Sequence, residues 1–145
     1  MNSNILKKQI LIIEDDVTFS NMLKIRLELN GYEAITAKDG LQGFEVAINI
    51  IPDLIILDLM LPETTQPNNS FIVQLDKNYG HKVCRMIKFN QSTAHIPVLI
   101  LTCSDSDTDV DLAKNCGADA YVLKTTKTEM ILDIINKLIN RVTAK

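Results

Sequence analysis

Five short runs rich in Ile, Leu and Val recur along the chain, and they do not alternate with polar residues. They are Ile10–Ile13, Glu33–Thr36 (the weakest), Leu54–Leu57, Val98–Leu101 and Ala120–Leu123. A strand with one wet face alternates, whereas a strand covered on both faces reads as a continuous apolar run. Each run is followed by a polar break and an amphipathic stretch. The repeated order of strand and helix predicts a three-layer α/β sandwich, with helices on both faces of a parallel sheet.

The stretches between the runs carry helix signals. The first helix is expected over about Val17 to Asn30, ending at Gly31, a residue suited to the C′ position. The second, about Gly40 to Ile50, places Leu41, Phe44, Ile48 and Ile51 on one side, and Pro52 closes it. The third, about His81 to Phe89, carries Val83, Cys84 and Ile87. The fourth runs from about Asp107 to Cys116, before Gly117. The last, about Lys127 to Arg141, repeats Ile131, Ile134, Ile135, Leu138 and Val142, and Thr126-x-x-Glu129 has the capping-box pattern. One segment breaks the rhythm. Between Pro62 and Gly80 lies a stretch that is turn-like from Thr64 to Ser70 and apolar over Phe71–Leu75, where a short strand or helical turn is expected. Loops from strand to helix usually run about 2–6 residues, so this one is long.

Composition narrows the function. With 145 residues and 46% apolar content, one domain and an ordinary core are expected. There are 18 acids against 15 bases, and a net charge of −3 argues against direct nucleic-acid binding. No apolar stretch is long enough to span a membrane. The start has no apolar signal-peptide region, which points to the cytoplasm. Cys84, Cys103 and Cys116 have no metal-site spacing and are expected as small apolar core residues, with a place bordering the pocket just after Thr102 as the alternative for Cys103. His81 and His95 are far apart and are expected at the surface.

The chemistry lies where the runs end. The first ends in Glu14-Asp15-Asp16, the third in Asp58, the fourth in Thr102 and the fifth in Lys124. In a parallel sheet these ends share one edge, and ligands bind there, where the strand order reverses. Clustered carboxylates raise one another's pKa unless a cation joins them. Mg²⁺ takes one or two protein carboxylates, keeps waters and engages phosphate oxygens. A carboxylate can also attack phosphorus to give an aspartyl phosphate. Such a transfer needs charge neutralisation and in-line placement, which the metal and Lys124 would supply, with the Thr102 hydroxyl on a phosphoryl oxygen. Taken alone, each residue has a plainer reading: an acidic helix start, a polar strand terminus, a β-branched strand residue, a surface lysine.

ILIIEDD, PDLIILDLMLP, IPVLILT and GADAYVLK, followed by the terminal helix, closely resemble the receiver domain of two-component response regulators. The likeness runs from about Gln9 to Val142, and its specificity comes from the motifs standing in order. It implies a flavodoxin-like five-stranded sheet in the order 2-1-3-4-5. Asp58 resembles the phosphoacceptor, Asp15 the direct metal ligand and Glu14 the acid that binds the metal through water. The backbone carbonyl of Met60 resembles a further metal ligand, and Mg²⁺ is the implied cofactor. Thr102 and Lys124 match the phosphate-sensing hydroxyl and ammonium, and Tyr121 the aromatic whose rotamer follows phosphorylation. Asp16 falls outside this set and is read as a helix N-cap.

The implied donor is a phosphohistidine on a sensor histidine kinase or a histidine phosphotransfer protein. The implied output is an effector protein or a C-terminal effector domain, with a homodimer through the fourth helix, fifth strand and fifth helix as a further possibility. The domain is expected to be a switch, capable of autophosphorylation and slow autodephosphorylation, rather than a turnover enzyme. Two departures stand out. The family usually has proline after the lysine, preceded by a cis bond; here it is Thr125, so either a trans bond with a shifted loop or a retained cis bond is expected. About fourteen extra residues, roughly Thr64 to Lys77, also stand beside Asp58 within a single domain. They keep alive a pseudo-receiver that does not respond to phosphorylation. An aspartyl-nucleophile phosphohydrolase is the remaining alternative, and Met60 counts against it, because such enzymes commonly have a second carboxylate there.

Overall fold

In the computed structural model of the chain, the described residues are 6–62, 79–103 and 106–143, with side chains up to Arg141. Ten elements alternate: β1 (Gln9–Ile13), α1 (Val17–Leu29), β2 (Glu33–Ala37), α2 (Gly40–Ile50), β3 (Leu54–Leu57), α3 (Gly80–Phe89), β4 (Val98–Thr102), α4 (Asp107–Asn115), β5 (Ala120–Leu123) and α5 (Thr128–Thr143). The strands form one parallel sheet in the order β2-β1-β3-β4-β5. This is the expected doubly wound α/β fold. The strand order reverses between β1 and β3, so a crevice opens at their carboxyl ends.

The apolar runs serve two cores. Leu11, Ile13, Ile55, Leu57, Val98 and Ile100 point to the side covered by α2, α3 and α4, where they meet Ala47, Val83, Cys84, Ile87 and Ala113. The alternate residues Ile10, Ile12, Leu54, Ile56, Leu99 and Leu101 meet Leu23, Leu27, Ile131, Ile135 and Leu138 of α1 and α5. Each fully buried Leu or Ile contributes roughly 1.5–3 kcal/mol relative to exposure. This two-sided burial explains why these strands carry no polar alternation. The edge strand β2 has polar, exposed Glu33 and Thr36, as its weaker run suggested.

Helix boundaries follow local chemistry. Asp16 caps α1, accepting a hydrogen bond from the Phe19 amide at 3.1 Å, as expected. Asp39 and Ser106 do the same for α2 and α4. Gly31 and Gly117 follow α1 and α4 at φ +90° and +89°, a left-handed conformation that favours glycine.

Several expectations need correction. The Leu41–Ile48 side of α2 faces outward, with Leu41 46% and Ile48 39% exposed. The buried side consists of Gly40, Gly43 and Ala47, with Phe44 partly buried. Gly43 lets α2 lie close to Ile13 of the sheet and Gly40 lets it lie close to Val83 of α3, so the larger residues are left outside. Helix α5 starts at Thr128, and the Lys127 carbonyl accepts from the Met130 and Ile131 amides; Thr126 precedes the boundary, so it is not the N-cap. Its apolar stripe is buried at Ile131, Ile135 and Leu138 and partly buried at Ile134, while the Val142 side chain lies outside those described. Cys84 and Cys116 are core residues, but Cys103 is exposed. His95 is exposed and His81 half-buried. The Lys124–Thr125 bond is trans. The segment Thr64–Lys77, with Phe71–Leu75, lies outside the described residues. Among the described residues no helix is long and apolar enough to cross a membrane.

Candidate functional site

The backbone ladder brings the polar strand ends together. The Asp58 amide donates to the Ile13 carbonyl at 3.1 Å, and the Glu14 amide to the Ala37 carbonyl at 3.0 Å. Pairing thus continues one residue past β1 and β3 and sets Glu14 and Asp58 on neighbouring strand ends. The Lys124 amide donates to the Thr102 carbonyl at 2.8 Å, which fixes the lysine beside the last residue of β4. The loop after β3 is held by α3: the Gly80 amide donates to the Leu59 carbonyl at 3.1 Å. A Cβ on Gly80 would stand 2.6 Å from the Leu59 Cα, so only glycine permits this approach.

The side chains converge as well. Lys124 Nζ lies 3.2 Å from Asp58 Oδ2 and also forms an ion pair with Glu14 Oε1. Asp58 Oδ1 accepts from the Met60 amide at 3.1 Å. Carboxylate oxygens of Glu14, Asp15 and Asp58 all lie within 4.8 Å of one another. Glu14 and Asp58 are 3% and 6% exposed, whereas Asp15 is open to solvent. Thr102 is wholly buried, and its Oγ1 has no hydrogen-bond partner among the described residues. The structure therefore brings Glu14, Asp15, Asp58 and Lys124 into direct proximity, with Thr102 on the adjoining strand end. Met60, two residues past Asp58, is exposed. Tyr121 is half-buried one residue along β5 from Val122, against the core on the α2–α4 side.

The charges do not balance. Among the described residues, three carboxylates face one ammonium, leaving a formal charge of −2 if all are ionised. Burial pushes the Glu14 carboxyl up to about 8, and the Asp58 charge adds to the rise against the opposing pull of Lys124. Burial works against the Lys124 ammonium, but Glu14 and Asp58 outweigh it and hold its pKa above the ordinary lysine value. A divalent cation would offset the excess negative charge, and oxygen donors of this kind suit Mg²⁺.

Two further residues, Phe19 and Ser20, lie at the site without having been expected there. Lys124 Nζ lies 4.6 Å from the centroid of the Phe19 ring, so α1 also positions the ammonium. Ser20 is buried on α1 and lines the same surface pocket as Glu14. Nothing in the sequence marks Phe19. Ser20 was legible as the polar member of an otherwise apolar stripe with Leu23 and Leu27.

Comparison with known proteins agrees with this geometry. The chain is 36% identical over 133 residues to the DNA-binding dual master transcriptional regulator RpaA of Synechocystis, covering 92% of this chain and 49% of that protein. It is 33% identical over 133 residues to the response regulator ArlR of Staphylococcus aureus, covering 92% and 53%. The signal receiver domain of a signal transduction histidine kinase from Syntrophus aciditrophicus superposes with a TM-score of 0.79 at 29% identity, covering 95% of this chain and 94% of that one. The chain belongs to the response-regulator receiver family. No family model matches the chain. The receiver domain spans about half the length of the curated relatives it matches.

Proposed function

We propose that this receiver domain accepts a phosphoryl group on Asp58 from a phosphohistidine of a sensor histidine kinase or histidine phosphotransfer protein. The observation that carries the reading is the meeting of Asp58 and Lys124 at the strand ends that also carry the buried Thr102 hydroxyl, which has no partner among the described residues. A carboxylate oxygen of Asp58 attacks phosphorus as the P–N bond breaks, and the bonding pair returns to the imidazole. Lys124 neutralises charge on the transferring group, and the Thr102 hydroxyl donates to one of its oxygens.

The donor set supports Mg²⁺ binding: among the described residues it has clustered carboxylate oxygens, excess negative charge and a Glu14 Oε2 without a partner. Asp15, Asp58 and the Met60 carbonyl would hold the ion directly, with Glu14 acting through water. When bound, the ion neutralises charge on the phosphoryl oxygens.

Thr102 ends β4 and Lys124 follows β5. When both turn toward a phosphoryl group, the loops beyond these strands move with them. This biases a two-state surface formed by α4, β5 and α5, with Tyr121 as its indicator. The output is an effector protein, an effector domain C-terminal to the receiver, or a homodimer through that surface. The receiver makes no direct nucleic-acid contact and works in the cytoplasm as a switch, not as a turnover enzyme.

The test is intact-mass spectrometry after incubation with acetyl phosphate. The expected result is a single phosphoryl adduct that requires Mg²⁺ and is absent from Asp58→Asn. Steady turnover of small phosphate esters would instead favour a phosphohydrolase. Absence of both the adduct and beryllofluoride binding would establish a pseudo-receiver.

A further inference from the structure

Among the described residues, three groups meet the Lys124 ammonium: Asp58 Oδ2 at 3.2 Å, Glu14 Oε1 in an ion pair, and the face of the Phe19 ring, whose centroid lies 4.6 Å from Nζ. The carboxylates attract the ammonium by charge, and the ring attracts it through the electron density of its face. The Lys124 side chain is only 14% exposed, so the ring stands where water would otherwise solvate the cation. Phe19 is itself packed against the core that α1 and α5 share, which limits the movement of the ring. Two turns further along α1, Arg26 donates to Thr128 Oγ1 at 2.7 Å, so α1 meets both ends of the loop between β5 and α5. In that loop the residue after the lysine is Thr125, whose φ no ring locks, so the placement of Lys124 rests more on contacts from outside the loop.

We propose that Phe19 is a positioning residue for phosphoryl transfer: its ring holds the Lys124 ammonium beside Asp58 and keeps it out of the depression between α1 and α5. Phe19 and Lys124 both line that depression, with Leu23, Ile131 and Leu132. Removing the ring would widen it toward the ammonium and admit water there. The lysine would then gain rotamers that no longer face Asp58. A long lysine side chain has much rotamer freedom to lose on ordering. An ammonium already in place beside the acceptor oxygen loses none of it in the transfer step. The inference rests on the reading of Lys124 as the group that neutralises charge on the phosphoryl oxygens, and it adds a residue that acts only through that lysine.

Two measurements on the full chain test the inference. In the first, Phe19 is replaced by mono-, di- and trifluorophenylalanine, which drain electron density from the ring face while nearly keeping its size and apolar character. With acetyl phosphate and Mg²⁺, the rate of adduct formation should fall stepwise along the series, by about two- to fivefold at its end. The fall stays at the lower end expected of such a contact because the ion pair with Asp58 remains. Phe19→Tyr, which keeps the aromatic face, should react at the wild-type rate. Phe19→Leu, apolar but without that face, should react as slowly as the trifluoro variant. Equal rates along the fluorinated series overturn the positioning role and leave the phosphoacceptor reading intact. In the second, ring current should move the Lys124 ε-methylene proton resonances upfield in the wild type and not in Phe19→Leu. No difference between the two overturns the ring contact and the role built on it. No adduct on the wild type itself overturns the phosphoacceptor reading, and the positioning role with it.

Discussion

A hydroxyl buried without a partner costs roughly 1–3 kcal/mol, and among the described residues Thr102 at the end of β4 has none. The fold alone gives no return for it, whereas an incoming phosphoryl oxygen does. Thr102→Val keeps the shape and removes the hydroxyl. Urea denaturation should find that variant as stable as the wild type or more so by up to about 1 kcal/mol, while phosphoryl-dependent changes at the α4–β5–α5 surface disappear. Glu14 gives a pH signature. Its pKa is raised from 4.5 to about 8 by burial and by Asp58, so the folded state favours the protonated form. The associated stability is complete below the unfolded value and declines as pH rises through the folded one. Lys124 is also raised, but its contribution stays constant below its ordinary value and does not disturb this window. In thermal melts without metal, the wild type should therefore lose more stability than Glu14→Gln between about pH 5 and pH 8. Saturating Mg²⁺ should remove most of that difference.

The elements explain which parts of the site could be read in advance. The strand ends were legible because each apolar run stops at the same edge, and Glu14, Asp58, Thr102 and Lys124 are the first polar residues met there. The α2 face was not. Leu41 and Ile48 give the larger hydrophobic signal, but Gly40, Gly43 and Ala47 form the buried side, since close approach of Gly43 to Ile13 of the sheet and of Gly40 to Val83 of α3 selects for absent side-chain volume. Hydropathy patterns do not register that selection. The Cys103 misreading has a similar source: thiols are usually buried, but this one lies just beyond the end of β4. Gly80 shows how an element supports the chemistry. Its close approach to Leu59 holds the loop that follows Asp58. Gly80→Ala should cost about 1–3 kcal/mol in urea unfolding and should slow phosphorylation by acetyl phosphate, because relief of the clash displaces the loop after β3. Ile51 supplies a contrasting case. It is a β-branched residue at φ +46°, past the end of α2 and on the edge opposite the site. Ile51→Gly should stabilise the protein by up to about 1–2 kcal/mol, leaving phosphorylation unchanged.

At the scale of the whole molecule, the sheet carries two well-filled cores and a charge imbalance at one edge. The cores hold the strand ends in register, so the excess negative charge cannot relax by separation. Binding at that edge should therefore appear as global stability. With Mg²⁺ and beryllofluoride at about 100 times the dissociation constant, linkage adds about 2.7 kcal/mol. Thermal melts should register it as a clear rise in midpoint that chelation reverses and Asp58→Asn abolishes. The most direct test of the central claim is to locate the phosphoryl group itself. After incubation with acetyl phosphate and Mg²⁺, borohydride reduction converts an aspartyl phosphate to homoserine, which peptide mass spectrometry can place in the sequence. The expected result is homoserine at position 58 and no reduced side chain at any other acidic position; homoserine at position 15, 5-hydroxynorvaline at position 14, or no reduced residue despite a phosphoryl adduct on the intact chain would contradict the assignment of Asp58 as the phosphoacceptor.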